Sequence, residues 1–419
     1  MKRKELLTFI KENRTFDLLW VSQILSQITL NMINYIMATR IYERTGSTVA
    51  VSLLWVFGYL PAFFLGPFSG FLVDLWDLRK ILIITNFLQG LTMLLFLTIG
   101  EKLYPIYPIV FLYSLLNQFY NPAEAASVPW LVKKKDLPTA NSLFMLTMQS
   151  ALILGLGVSG LLMRFLGPNK PIWISAICLF LAAVAVYFLP EKNLQRKDLT
   201  AGLSEFWEEI KSGYSFVKNT RIVLFPILLT ISFQVFLVVL GVSMPEFANN
   251  VLQIQLQDAG PLLIMPLGMG ALLGTLLMNK IAHKFRKRTL MKRGLGVIFL
   301  ILLFFSVILP FLNRYKLAAA IPLMFLAGLA GFFIAVPNQT LIQEHTPERL
   351  RGRVYGTLGF LGNVAVLPCL LFTATVVDFI GVSTFMFLMA GITLTMLLVF
   401  DRMESYILTR RVKTAPVSG

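Results

Sequence analysis

The sequence predicts an all-α integral membrane protein with twelve transmembrane helices in two six-helix bundles, and three observations support this fold class. Hydrophobic residues make up 57% of the 419 residues and charged residues only 14%, whereas ordinary soluble domains carry about 25% charged residues. Twelve runs of 20 residues or more contain no Asp, Glu, Lys or Arg, so each can cross a hydrocarbon core of about 30 Å as a helix. A hydrophilic segment separates the first six runs from the last six.

The uncharged runs are distributed along almost the whole chain. They are 18–39, 45–73, 81–100, 103–123, 137–163, 171–190, 222–245, 259–279, 294–313, 317–343, 354–377 and 379–400. An outer-membrane barrel would instead show alternating runs of about 10 residues. We therefore expect an N-terminal bundle over 1–190, a linker over 191–221, and a C-terminal bundle with a basic tail over 222–419.

The linker itself has a helical pattern. Leu203, Phe206, Trp207 and Ile210 fall on one face of a helix whose other residues are polar. Such a helix lies along a membrane surface, so we expect it at the inner surface, where it joins the two bundles.

The placement of the basic residues predicts the orientation. The net charge is +16 at pH 7, and with a cytoplasmic N-terminus only seven of the 37 Lys and Arg residues fall in outward loops. Those seven are Arg40, Arg44, Lys102, Arg164, Lys170, Arg314 and Lys316. Because cytoplasmic loops are enriched in Lys and Arg, we expect both termini in the cytoplasm. The basic loops then contact anionic membrane lipids, and nucleic acid is not an expected partner.

The sequence contains no pattern for catalysis or for a cofactor. Cys178 and Cys369 lie in separate apolar runs, while His283 and His345 lie in loops, so neither a disulfide nor a metal site is indicated. No Gly-x-x-x-x-Gly-Lys-Ser/Thr loop is present, which argues against ATP hydrolysis by this chain. We therefore expect a protein that is not an enzyme and that has no cofactor.

A short charged turn between the second and third runs carries the first family resemblance. Gly66 and Gly70 share one helix face and would let a neighbouring helix approach closely. Asp74 follows four residues after Gly70, and Arg79 and Lys80 come next. This pattern resembles the signature loop between the second and third helices of major facilitator superfamily transporters. The resemblance implies their fold, two six-helix bundles with a substrate site between them.

The same resemblance implies a gating role for Asp74. In the closed inner side, its carboxylate would face the positive N-terminal end of the eleventh helix, which begins near Arg351, Gly352 and Arg353. Alternatively, Asp74 only caps its loop or pairs with Arg79 or Lys80.

Three further stretches resemble particular branches of the superfamily. Residues 121–129 read Asn-Pro-Ala-Glu-Ala-Ala-Ser-Val-Pro, residues 137–142 read Leu-Pro-Thr-Ala-Asn-Ser, and residues 346–354 read Thr-Pro-Glu-Arg-Leu-Arg-Gly-Arg-Val. All three are similar to the macrolide-efflux-type and the siderophore- or lysolipid-exporting branches. The two halves of the chain also share a sequence pattern, since Gly270 and Gly274 repeat the spacing of Gly66 and Gly70. Internal repeats of this kind are common in secondary transporters.

Amide side chains predict a polar cavity wall. Gln23, Gln27, Asn31 and Asn34 form one stripe along the first run, and polar side chains in a membrane face protein or water rather than lipid. Interhelical hydrogen bonds are the alternative explanation for one or two of them. Further candidates for the cavity lie on other runs: Asn117, Asn121, Gln149, Gln234 and Asn363.

Two other features bear on transport. Glu124 ends the fourth run and is the candidate for proton coupling, although it could instead pair with Arg351 or Arg353. Gly155, Gly157 and Gly160 resemble the glycine-rich antiporter motif of drug/proton exchangers, but ordinary helix packing through small residues explains them equally well.

These observations favour an exporter of hydrophobic or amphipathic small molecules, driven by proton antiport in a bacterial cytoplasmic membrane. A lysophospholipid flippase and a siderophore exporter are alternatives on the same fold. A membrane sensor or scaffold that transports nothing is a third class, although it would need neither the repeat nor the amide stripe. We expect a monomer whose partners are the substrate, protons and membrane lipids.

Overall fold

A computed structural model describes residues 9–74, 76–100, 102–191, 208, 211–212, 214–281 and 285–413. Within these residues the chain is helical and contains no strand, which confirms the all-α fold class. The residues on which the amphipathic linker helix was predicted, Leu203, Phe206, Trp207 and Ile210, lie outside this description.

The N-terminal bundle contains six long helices, which begin and end close to the predicted runs. They are α1 (Arg14–Thr45), α2 (Thr48–Asp74), α3 (Leu78–Thr98), α4 (Ile106–Leu131), α5 (Leu137–Leu166) and α6 (Lys170–Tyr187). The loops between them are short, so consecutive helices run in opposite directions.

The C-terminal bundle also contains six long helices, three of which include irregular turns. Helix α7 (Arg221–Glu246) continues as a π-helical turn over Phe247–Val251. Helix α8 consists of three consecutive segments, Leu256–Ala259, a π-helical turn over Gly260–Ile264, and Met265–Ile281. The others are α9 (Lys287–Leu303, with a π-helical turn at Phe304–Ile308 and a 3₁₀ segment at Leu309–Tyr315), α10 (Lys316–His345), α11 (Glu348–Ile380) and α12 (Val382–Lys413).

Helices α1 and α4 differ in hydropathy from the other long helices. Nine stretches of the described residues are long and apolar enough to cross a membrane, and one of them, Lys287–His345, contains both α9 and α10. Helices α1 and α4 are not among the nine, although each is long enough to span. Both carry several amide side chains, which lower their hydropathy. A membrane helix of this kind turns its polar side away from lipid.

The helix contacts define the two bundles and the border between them. In the N-terminal bundle, α1 packs on α5 and α6, α2 on α4, and α3 on α6. In the C-terminal bundle, α8 and α9 pack on α10, α7 on α11, and α9 on α12. The main contacts across the border are α2 with α11 and α5 with α8. Helices α3, α6, α9 and α12 pack within their own bundle and lie at the periphery.

The turns between the helices lie at two opposite ends of the molecule. The turns that follow α1, α3, α5, α7, α9 and α11 lie at the far end. The turns that follow α2, α4, α6, α8 and α10 carry most of the basic residues and lie at the basic end.

The apolar core shows how the bundles meet. One cluster of buried residues contains side chains of both bundles, including Ile41 and Phe96 from one and Phe247 and Leu263 from the other. Towards the basic end each bundle has its own cluster instead, one built from residues 9–189 and one from residues 217–354. The two bundles therefore share a core at the far end and have separate cores at the basic end.

Candidate functional site

A carboxylate of α11 joins the two bundles at the far end. Asp378 accepts hydrogen bonds from the Ser47 hydroxyl at 2.8 Å and from the backbone N–H groups of Thr48 at 2.8 Å and Val49 at 3.1 Å. These two N–H groups belong to the first turn of α2, where a helix has no internal acceptors. The negative charge also meets the positive end of the α2 dipole. Asp378 therefore caps α2 from the opposite bundle, and we call this contact the far-end latch.

Two tyrosines of α1 make further hydrogen bonds across the border. The Tyr35 hydroxyl donates to the carbonyl oxygen of Leu256 at 2.5 Å and accepts from the N–H of Gly260 at 2.8 Å. The Tyr42 hydroxyl donates to the Glu246 carboxylate. The irregular start of α8 provides the backbone groups that Tyr35 binds, because its π-helical turn interrupts the regular hydrogen-bonding pattern.

Glycines bring α5 and α8 into direct backbone contact near the far end. A Cβ added at Gly160 would overlap the carbonyl oxygen of Gln257, and one at Gly157 would overlap the Met265 side chain. One helical turn further on, Arg164 and Asp258 form an ion pair at 2.9 Å. Gly155 is packed just as tightly, but against Asn31 of α1 within its own bundle. These contacts support the packing explanation of the three glycines.

The same two helices separate towards the basic end. Ile153 of α5 still packs against Gly268 of α8. Two turns nearer the basic end, Leu146 and Leu276 continue the facing sides of these helices, yet they are 52% and 71% exposed. Together with the separate cores, these exposures indicate a space between the bundles that opens at the basic end, which we call the central gap.

The four amides of the α1 stripe do not share one environment. Gln23 is only 1% exposed, and its amide donates to the carbonyl oxygen of Phe144 on α5 at 3.5 Å. Gln27, Asn31 and Asn34 are half-buried. The Asn31 amide donates to the Gln27 carbonyl oxygen at 2.8 Å, one turn earlier on the same helix. Gln23 is thus a packing residue in this structure, and the other three keep part of their surface accessible.

The remaining cavity candidates lie on α4, α5, α7 and α11. On α4, Asn121 is exposed and Asn117 half-buried. Gln234 of α7 is half-buried, with its side-chain oxygen close against Gly362 of α11, and the neighbouring Asn363 is also half-buried. The structure thereby brings Gln234 and the Gly362–Asn363 segment together. The Gln149 side chain lies outside the described part of the chain.

Glu124 belongs to a buried polar network that sequence reasoning missed. Its carboxylate accepts a hydrogen bond from the Tyr120 hydroxyl at 2.7 Å. The Tyr120 hydroxyl is 3.5 Å from the Ser22 hydroxyl, which accepts from the Asn86 amide at 3.1 Å. Side chains from α1, α3 and α4 thus form one chain of polar groups. The sequence gives only a weak indication of this network, since a lone Ser, Asn or Tyr in an apolar run normally serves packing.

A family comparison identifies the class of protein to which this architecture belongs. A family model described as Major Facilitator Superfamily matches residues 19–368. The chain belongs to the Major Facilitator Superfamily. Superfamily members of this kind are membrane transporters rather than enzymes, and the chain is accordingly a multi-pass membrane transporter.

Several superfamily relatives are similar over most of their length. The uncharacterized MFS-type transporter YfiS of Bacillus subtilis is 26% identical, over 85% of this chain and 84% of its own. Macrolide efflux protein A of Streptococcus pyogenes is 25% identical over 90% of this chain and 92% of its own. The multidrug efflux pump Tap of Mycolicibacterium fortuitum is 26% identical over 78% of this chain and 80% of its own.

Solved superfamily structures share the fold. A mutant of the nucleoside transporter NupG gives a TM-score of 0.75 at 12% identity, covering 93% of this chain and 99% of that one. The POT family transporter PepTSo gives a TM-score of 0.73 at 14% identity, covering 94% of this chain and 99% of that one. At these identities the likeness shows the fold alone, and it confirms the predicted two-bundle architecture.

The superfamily signature loop is only partly described. Arg79 pairs with Glu191 at 3.4 Å and lies over the Tyr187 ring at 5.0 Å, while Lys80 is exposed. The Asp77 carboxylate accepts from the Arg79 N–H at 2.9 Å and so caps α3. Arg79 therefore ties the loop to the end of α6. Gly70 and the Asp74 side chain lie outside the described part of the structure.

One expectation for this loop is not met at Gly66. A Cβ added there would lie 3.9 Å from the Gln118 side chain, an ordinary van der Waals distance, so Gly66 does not mark a close helix approach in this structure. Its repeat counterparts behave differently. A Cβ at Gly270 would overlap the Phe325 carbonyl oxygen of α10, and one at Gly274 would crowd the Phe332 side chain. Gly270 and Gly274 therefore mark a close approach of α8 to α10.

At the start of α11, Arg353 donates a hydrogen bond to the Ser212 hydroxyl at 3.2 Å and so contacts the linker. The side chain of Arg351 and the surroundings of Gly352 lie outside the described residues. Among the described contacts, Glu124 is bonded to Tyr120 and Arg353 to Ser212.

Proposed function

We propose that this chain exports amphipathic small molecules across the cytoplasmic membrane by alternating access. The observation that carries the proposal is the asymmetry between the two ends. The bundles share a core and hydrogen bonds at the far end, whereas the central gap opens at the basic end. With the basic end in the cytoplasm, as the distribution of Lys and Arg favours, this is the inward-open state that an exporter uses to take up its substrate.

Accessible side chains on α1, α4, α5 and α8 suggest the substrate class. Gln27, Asn34 and Asn121 offer uncharged hydrogen-bonding groups, and Met145, Met148 and Met269 are exposed apolar side chains on α5 and α8. Flexible methionines adapt to ligands of different shape. A bulky, neutral or zwitterionic amphipathic molecule fits this combination. The names of two relatives, a macrolide efflux protein and a multidrug efflux pump, support the same class.

A lysophospholipid flippase is the second candidate. The exposed apolar side chains on α5 and α8 flank the opening between these helices, and Leu146 and Leu276 lie where a lipid tail would pass. Vesicles that contain the purified protein separate the two functions. An exporter accumulates a labelled macrolide and leaves labelled lysolipid in place, whereas a flippase does the reverse.

The amides of the gap provide the first test of substrate binding. We expect Gln27→Leu and Asn31→Leu to reach the membrane normally but to lower export about tenfold, because each loses a hydrogen bond worth roughly 1–1.5 kcal/mol to a desolvated substrate. Labelled-drug efflux from cells is the measurement. Asn219→Leu, an exposed amide in the segment before α7, is the matched control and should export like wild type. Unchanged export by both α1 variants would exclude these amides from the substrate site.

Glu124 provides the test of proton coupling. We expect Glu124→Gln to lose the dependence of export on the proton gradient, because the buried carboxylate, bonded to Tyr120, is the group that would take up and release the proton. Efflux is measured with and without a proton ionophore. Glu208→Gln changes an exposed carboxylate of the linker and should stay as ionophore-sensitive as wild type. If Glu124→Gln also stays fully sensitive, coupling occurs elsewhere.

A further inference from the structure

A second cavity lies at the far end of the N-terminal bundle, away from the central gap. Its volume is about 330 Å³, and its lining includes Arg40, Glu43, Arg44, Phe96, Met163 and Asn169. These residues come from the far ends of α1, α3 and α5 and from the turn before α6. The cavity is therefore walled by one bundle only, and no residue proposed for substrate binding contributes to it.

Arg40 is the unusual residue of this cavity. It is only 9% exposed, and among the described residues its guanidinium bonds a neutral group, the Asn169 side-chain oxygen at 2.9 Å. A buried cation is normally compensated by a charged partner, and a guanidinium has five donors in a fork that matches phosphate or carboxylate oxygens. Most of the donors of Arg40 therefore remain available to a ligand in the cavity.

Glu43 adds a second charge of opposite sign. It lies three residues after Arg40, so both side chains are on the same side of α1, and both line the cavity. Glu43 is exposed at the rim while Arg40 is buried. Arg44 also lines the cavity, and its guanidinium donates to the Gly100 carbonyl oxygen at 3.5 Å. The cavity thus presents the buried guanidinium of Arg40 and, among exposed groups, the carboxylate of Glu43, so a zwitterion can place its anionic group at Arg40 and its cationic group at Glu43.

The position of the cavity relative to the membrane indicates what kind of zwitterion reaches it. Helix ends and the turn before α6 form its walls, which places it at the membrane–water boundary, where lipid headgroups lie. The adjoining helices α3 and α6 are peripheral and carry exposed apolar side chains, among them Leu95 on α3 and Trp173 on α6. Tryptophan at a helix end is typical of the headgroup level.

We propose that this cavity binds the headgroup of a zwitterionic phospholipid that carries a primary amine, such as phosphatidylethanolamine. The phosphate accepts hydrogen bonds from the Arg40 guanidinium, and the ammonium group, two carbons away, pairs with the Glu43 carboxylate. The acyl chains follow the apolar outer surfaces of α3 and α6. An anionic headgroup without an amine meets the Glu43 carboxylate and is bound less well.

Native mass spectrometry of the full-length protein, titrated with defined lipids, tests this site. Wild type should retain phosphatidylethanolamine more strongly than phosphatidylglycerol, and Arg40→Gln should weaken phosphatidylethanolamine binding about tenfold. Glu43→Gln should bind phosphatidylglycerol as well as phosphatidylethanolamine. Arg314→Gln changes an exposed far-end arginine of the other bundle and should bind both lipids like wild type.

Three results would overturn the proposal. The first is unchanged lipid retention by Arg40→Gln, and the second is an undiminished preference for phosphatidylethanolamine in Glu43→Gln. The third is complete displacement of the lipid by inorganic phosphate alone, because the site would then bind free phosphate. Since Glu43 is exposed, Glu43→Gln keeps the test valid even if the Arg40 variant folds poorly.

Discussion

Asp378→Ala is expected to shift the transporter away from the state closed at the far end and to slow export. The substitution removes all three hydrogen bonds of the far-end latch, from Ser47, Thr48 and Val49. Loss of a side-chain cap costs about 0.5–2 kcal/mol, and the cap is made only while the bundles meet at this end. The closed population should therefore fall by a factor of roughly two to thirty.

Distances between spin labels measure this shift. With labels at Lys170→Cys and Arg314→Cys, exposed positions on opposite bundles at the far end, the Asp378→Ala background should show a larger share of long distances. Asp378→Asn keeps an acceptor for the α2 amides but loses the charge, so its effect should be intermediate. An unchanged distance distribution in Asp378→Ala would show that the latch does not contribute to far-end closure.

The far-end latch gives a physical context for the gating role that the sequence predicts for Asp74. Helix α2 runs from the far end to the basic end, and α11 runs in the opposite direction. Each ends in a carboxylate, Asp74 on α2 and Asp378 on α11. The latch places Asp378 at the start of α2, and the predicted contact would place Asp74 at the start of α11. Alternate formation of the two contacts would then favour the two access states in turn.

The capping role of Asp378 could not be predicted from the sequence. Asp378 is the single charge between the uncharged runs 354–377 and 379–400, a position at which any carboxylate simply marks a turn. Its partners are about 330 residues away in the chain. A helix N-terminus is capped most often by its own neighbouring residues, so no local pattern connects Asp378 with α2. Asp74 was recognised only because the surrounding loop resembles a family signature.

Hydropathy predicted the helices well, because span length follows directly from the thickness of the membrane. The run 81–100 became α3 (Leu78–Thr98), and the run 354–377 lies within α11. The interruptions were not predictable in the same way. The π-helical turn at Gly260–Ile264 changes hydrogen-bond register without changing hydropathy, and yet it presents the Gly260 N–H to Tyr35.

The amide stripe shows the limit of helical periodicity as a guide to the site. Periodicity identified four residues on one side of α1, but it does not state which neighbour each one faces. In the folded bundle, Gln23 packs against the backbone of α5, while Gln27 and Asn34, nearer the middle of the helix, keep partial exposure. The buried network of Ser22, Asn86 and Tyr120 was missed because it depends on the packing of three helices.

Gly160→Ala is expected to abolish most export while leaving the protein well folded. The new methyl group would overlap the Gln257 carbonyl oxygen, and a backbone carbonyl cannot rotate away as a side chain can. Overpacking of this kind costs about 1–3 kcal/mol, which lowers the population closed at the far end by a factor of roughly five to 150. In isolation, Gly→Ala within a helix is stabilising by about 1 kcal/mol, so the defect should arise in closure and not in folding.

Gly391→Ala is the matched control, because a Cβ at this position of the peripheral helix α12 has nothing within 4 Å. Both variants should match or exceed wild type in thermal stability, since both gain helix propensity. Only Gly160→Ala should lose drug efflux. If a cysteine is placed at Gln257, an impermeant reagent added outside the cells should label it more strongly in the Gly160→Ala background alone. Wild-type efflux by Gly160→Ala would mean that the transport cycle does not require the close contact of α5 and α8. Equal loss in both variants would instead indicate a general sensitivity of the helices to added side chains.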